Sequence, residues 1–108
     1  MKKRANVPNY AELDNETSWQ VRQRDKDICL LCGDRFQDIH EIIPRRELGS
    51  RMVHILFHPM NRVCLCRKCH AGAGSKRKEL VNMLYEKYNY DYMKYSIYIK
   101  YLIGEDEE

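Results

Sequence analysis

Apolar positions recur at helical spacing in some stretches of this chain and at strand spacing in others, and turn signals separate the two. Asp14 to Thr17 offer N-cap residues, and Trp19, Val21, Arg22 and Lys26 follow in a helical setting, which predicts a short helix from about Thr17 to Lys26. Ile28 to Gly33 reads as a turn, closed by Gly33-Asp34. Phe36 to Ile43 is rich in β-formers and stops at Pro44, so it reads as a strand. Residues 44–60 read as a long connection, and Asn61 to Leu65 as a second strand. A helix is expected to begin at Cys66 and to be stopped early by Gly72 and Gly74. Leu80, Met83, Leu84 and Tyr88 share a face of a helix over 76–88, with Asn89 as its left-handed cap. Residues 93–103 suit a helix or a strand equally, and seven of the eight tyrosines fall between Tyr85 and Tyr101.

Size and charge narrow this picture. At 108 residues the chain makes one domain with a modest core, for which a bound metal would be a useful staple. The expected organisation is a basic arm over 1–16, a domain over 17–103 and an acidic tail over 104–108. Met1-Lys2-Lys3-Arg4 is basic, but no apolar run follows it, and no stretch is apolar enough to span a membrane, so a cytoplasmic protein with no membrane partner is expected. The formal charge is +3 although the last four residues are all acidic, so the remainder is more strongly basic and suits a polyanion such as DNA.

The cysteines add the first definite chemistry. Cys29-x-x-Cys32 and Cys66-x-x-Cys69 are two pairs at knuckle spacing. Reduced thiols in the cytosol favour a metal over disulfides, and four thiolates close a tetrahedral shell, so the pairs predict structural Zn2+. Cys64 is expected in the core, with a second possibility that it competes with Cys66 as ligand.

Between and beyond those pairs lie two further segments. Asp38-Ile39-His40-Glu41-Ile42-Ile43-Pro44-Arg45 resembles the first motif of HNH endonucleases. Asn61-Arg62-Val63-Cys64-Leu65-Cys66-Arg67-Lys68-Cys69-His70 resembles their Asn motif running into a closing Cys-His, and Arg24-Asp25 ahead of Cys29-x-x-Cys32-Gly33 is similar to the zinc-bearing members. The resemblance covers about residues 18–76. It implies a small α+β fold: a ββα-metal (His-Me finger) core over about 34–75, stabilised by the four-cysteine zinc site, with flanking helices; a Tyr-rich helical extension over 76–103, which the resemblance does not explain, is expected to follow. It also implies a phage or bacterial enzyme that hydrolyses DNA with a divalent ion, Mg2+, Mn2+ or Ni2+.

The resemblance further assigns roles. His40 and His70 would hold the catalytic ion. Asn61 would orient the base or the hairpin loop, or complete the metal shell. Arg45 and Arg46 would hold phosphates of double-stranded DNA, and, apart from the resemblance, Arg62, Arg67 and Lys68 begin a basic run that reads as a DNA-facing edge. Where many HNH sequences carry a histidine as general base, this chain has Glu41. Glutamate is the expected base here, although neighbours on a regular strand face opposite ways. His54 or His58 is a substitute, and so is His40 itself with Asp38 as ligand. The rival function is a zinc-stabilised nucleic-acid-binding module that cleaves weakly or not at all. The tyrosines are expected to complete the core or to form a homodimer surface.

Overall fold

The computed structural model describes residues 9–102. The start of the basic arm, residues 1–8, and the acidic tail lie outside the described residues, as does Ile103.

Asn9 caps the first helix, α1 (Tyr10–Asp25), by accepting from the backbone N–H groups of Ala11 and Glu12. The helix ends where Lys26 turns left-handed. It therefore starts well before the Thr17 expected from sequence, and residues 10–16 are helix rather than arm. Few apolar positions mark this stretch; distant contacts hold it. Tyr10 stacks on Phe57, Asp14 pairs with Arg62, and the Thr17 hydroxyl donates to the Phe57 carbonyl.

Strand β1 (Asp38–Glu41) pairs antiparallel with β2 (Arg62–Leu65), placing His40 opposite Val63 and Glu41 opposite Arg62. Among the described residues these two strands make up the sheet, and the fold is a small, mostly helical α+β arrangement. The long connection is not a loop. It contains α2 (Arg45–Leu48), a 3-10 turn, α3 (Val53–Leu56) and a second 3-10 turn ending at Asn61. Leu48, Ile55, Leu56 and Met60 bury their side chains, which is what folds it.

Helix α4 (Arg67–Ala71) follows β2 directly, with Cys66 as its N-cap. Helix α5 (Arg77–Tyr88) buries Leu80, Val81 and Leu84 and stops at left-handed Asn89, as its sequence pattern indicates. The ambiguous C-terminal stretch is helical: α6 (Ser96–Leu102). Tyr92 and Tyr98 are fully buried and meet edge to face with centroids 4.8 Å apart, so these two tyrosines belong to the core. Among the described residues no helix is long and apolar enough to cross a membrane.

Candidate functional site

The first cysteine pair lies on a tight turn. Cys29 N–H donates to the Asp34 carbonyl, Gly33 N–H donates back to the Cys29 carbonyl, and Gly33 takes a φ of 85° that favours glycine. The second pair opens α4, where the Cys66 Sγ accepts from Cys69 N–H at 3.4 Å. The two turns meet. The Sγ atoms of Cys29, Cys32, Cys66 and Cys69 all lie within 4.8 Å of one another, close enough to hold a metal ion such as zinc.

One separation matches the edge of a zinc tetrahedron. Bonds of 2.3 Å in a tetrahedron put sulfurs about 3.8 Å apart, and Cys32 and Cys66 are separated by 3.7 Å. Charge points the same way. Against the upward push of burial, backbone N–H groups of Cys66, Cys32 and Leu31 bring the Cys29 thiol down to about 7. The neighbouring Cys66 thiol and burial push Cys69 up to about 12. Four crowded thiols do not ionise together without a cation between them. Cys64 is not part of this group: it is fully buried, its Sγ is directed at the Val21 carbonyl of α1, and burial pushes its thiol up to about 12. It packs as a core residue and does not compete with Cys66.

A second constellation forms where β1 meets α4. Asp38 and His40 alternate onto one face of β1, and α4 brings His70 against both. His70 Nδ1 lies 3.0 Å from Asp38 Oδ2, and the His40 and His70 rings are 5.1 Å apart, edge to face. Arg67 donates to the other Asp38 oxygen at 3.3 Å. These hydrogen bonds, His70 first, hold the Asp38 carboxyl below the ordinary carboxylate range. Burial, then electrostatic repulsion from the neighbouring His70 ring and the Arg77 guanidinium, lowers His40 to about 4, so its imidazole is neutral at physiological pH. Its Nε2 is buried and has no hydrogen-bond partner among the described residues. A buried imidazole nitrogen with no hydrogen-bond partner thus stands next to a histidine held by a carboxylate.

The remaining expected site residues are not all brought here. Glu41 is on the other face of a strand with no bulge, and its carboxylate lies 3.7 Å from the Arg62 guanidinium. Asn61 is fully buried; its amide bonds the backbone of Ile43 in both directions, so it braces the hairpin rather than facing His40 and His70. His54 and His58 are also elsewhere. His54 packs on Tyr95; His58 packs on Tyr90 and caps the turn before Asn61.

Arg62 is a correction to the sequence reading. It is buried, donating to the Leu56 carbonyl and paired with Asp14, so it is not a surface available to DNA. Arg45, Arg46, Arg67 and Lys68 are exposed. An open groove of about 580 Å³ at the cysteine cluster is lined by Cys32, Cys66 and Cys69 together with Asp34, Arg35, Gln37 and Lys68.

Two arginines tie distant elements together. Arg24 donates to the carbonyls of Pro59 and Arg62, and the Asp25 carboxylate accepts from Cys64 N–H, so the end of α1 is tied to β2. Arg77 forms a two-pronged pair with Glu47 that links α5 to α2. The resemblance pointed to Arg24-Asp25 without a reason; partners 35 or more residues away supply it. No family model, no curated protein and no solved structure matches this chain.

Proposed function

We propose that this protein is a metal-dependent endonuclease of HNH type, with β1, β2 and α4 as a ββα-metal core, that hydrolyses phosphodiester bonds of double-stranded DNA. The observation that carries the reading is the meeting of Asp38, His40 and His70, with His40 Nε2 neutral, buried and unpaired. His40 and His70 would hold the ion. Asp38 on Nδ1 fixes the His70 ring and leaves its Nε2 for a ligand bond. Two imidazoles favour Mn2+ or Ni2+ over Mg2+, which prefers an all-oxygen shell. An ion held there would supply Lewis-acid polarisation of the scissile phosphate and would stabilise the leaving oxygen. Zinc in the cysteine cluster is structural, because four sulfurs leave no open position.

The chain's own residues do the rest. Arg67 is exposed and stands over Asp38, where its guanidinium can pass to a phosphate. Arg45, Arg46 and Lys68 add exposed charge for the DNA backbone. Glu41 can reach the site only by leaving Arg62, so the general-base role is not given to it.

The orientation of Glu41 also favours the rival reading, a zinc-stabilised nucleic-acid-binding module, since a scaffold without a placed base binds without cutting. Incubating supercoiled plasmid with Mg2+, Mn2+ or Ni2+, with and without chelator, separates the two. Nicking that disappears in His70→Ala is expected. Retardation of DNA without any nicking would replace the enzyme with the binding module.

A further inference from the structure

We propose that Tyr98, in the Tyr-rich C-terminal helix, is a positioning residue for the His40/His70 site, acting through Asn61. The proposal takes its reaction from the nuclease reading above.

The β1 ladder ends at Glu41, one residue after His40. Beyond that point the strand is held by Asn61. Ile42 N–H donates to the Asn61 backbone carbonyl at 2.9 Å, Ile43 N–H donates to Asn61 Oδ1 at 3.1 Å, and Asn61 Nδ2 donates to the Ile43 carbonyl at 2.9 Å. One side-chain amide thus continues the pairing of the strand that carries His40. Tyr98 completes that amide: its hydroxyl donates to the same Oδ1 at 2.6 Å, and both residues are fully buried.

The hydroxyl is not needed for packing. A phenylalanine ring would fill the same space between Tyr92 and the core. Burying a hydroxyl is unfavourable unless it is bonded, so its value here lies in the bond to Asn61. Chained hydrogen bonds also polarise one another, which tightens the Asn61 grip on Ile43. The neighbouring Tyr92 hydroxyl donates to the Met60 carbonyl, so the C-terminal segment fastens two consecutive residues at the exit of the connection. At its entry, the Tyr101 hydroxyl accepts from Arg77, which is itself paired with Glu47 of α2. Helix α6 therefore clamps both ends of the segment between the two strands.

Loosening the end of β1 lets His40 drift from His70, and both ion affinity and turnover depend on that separation. Tyr98→Phe is expected to weaken Mn2+ binding to the zinc-loaded full chain by about tenfold and to lower kcat to a similar extent. The KM for DNA should hold, because the exposed arginines are untouched. Tyr88→Phe is the control. It removes a hydroxyl whose partners are Arg24 and Asp25, and it should leave Mn2+ affinity and kcat within about twofold of wild type. Mn2+ titration followed by electron paramagnetic resonance reads the affinity without any need for cleavage, and His70→Ala identifies the signal from this site. If wild type binds Mn2+ there but cuts nothing, the nuclease reading fails while Tyr98→Phe still tests the positioning role through affinity. Unchanged Mn2+ affinity in Tyr98→Phe, an equal loss in Tyr88→Phe, or no Mn2+ binding by wild type would overturn the proposal.

Discussion

Asp38 and His70 are 32 positions apart in the chain, and their side chains meet at 3.0 Å through Oδ2 and Nδ1. The contact settles how the His70 ring is held. An imidazole bonded at Nδ1 keeps Nε2 as its remaining ligand atom, and the carboxylate makes the ring a better donor. In the proposed site Asp38 would thus support a ligand instead of being one, the opposite of the arrangement in which His40 serves as base and Asp38 as ligand.

Asp38→Asn should keep the fold and weaken the second ion. Loss of an outer-shell carboxylate typically costs ten- to a hundredfold in metal affinity, so a drop of about thirtyfold in Mn2+ affinity is expected. Zinc content should not change, since the cysteine cluster is separate from Asp38. Calorimetric titration with Mn2+, alongside metal analysis of the purified variant, checks both halves.

Glu41→Gln should cleave at a rate within about threefold of wild type, counter to the role that its place in the motif suggests. Its carboxylate faces Arg62 across an unbulged register and is more than a third exposed, so its loss costs little in stability, about 0.5 kcal/mol. Quantified plasmid nicking reads the outcome. A fall of a hundredfold or more would mean that Glu41 leaves Arg62 during the reaction and takes the proton after all.

The same strand shows what was legible in the sequence. Alternation along β1 already separates Glu41 from His40, because that rule is local. The cysteine turns were legible for a like reason: two thiols at knuckle spacing need only a few residues to take shape. Asn89 as a left-handed cap is another local signal. The connection was misread because α2 and α3 are each four residues long, too short for periodicity to register, while Gly49 and Pro59 read as loop punctuation. The start of α1 was missed because Asp14 finds Arg62 across 48 positions, and no window on the sequence contains both. His70 was found through its motif, but its partnership with Asp38 depends on α4 folding back onto β1.

Arg62→Ala should destabilise the protein rather than simply weaken DNA binding. The guanidinium is nearly fully buried, donates to the Leu56 carbonyl, pairs with Asp14 and lies against the Phe57 ring. Truncation leaves a buried carbonyl unpaired and a void beneath Phe57, a loss of about 2–4 kcal/mol. Arg46→Ala, on the exposed surface of α2, should stay within about 0.5 kcal/mol of wild type and reduce the salt dependence of duplex binding by roughly one counterion. Urea unfolding separates the two variants in stability, and fluorescence anisotropy over a range of salt separates them in binding.

The cysteines give the sharpest contrast, because all five are free thiols and only four converge. Cys32→Ser leaves three sulfurs and a poor fourth ligand. A metal in the cluster would pin both ends of the segment between the cysteine pairs, so its loss should forfeit folding energy as well as affinity, and a strong chelator should melt wild type in the same way. Cys64→Ala removes a sulfur from the core beside Val21, for about 1 kcal/mol of lost packing, and should retain a full complement of zinc. Elemental analysis of the two variants, followed by thermal unfolding with and without chelator, tests the pair. Zinc lost from Cys64→Ala but kept by Cys32→Ser would exchange their roles and move the metal onto β2. The close approach of Cys32 to Cys66 argues against that result: their 3.7 Å separation matches the edge that a zinc tetrahedron would have, whereas the Cys64 sulfur points to the backbone of α1.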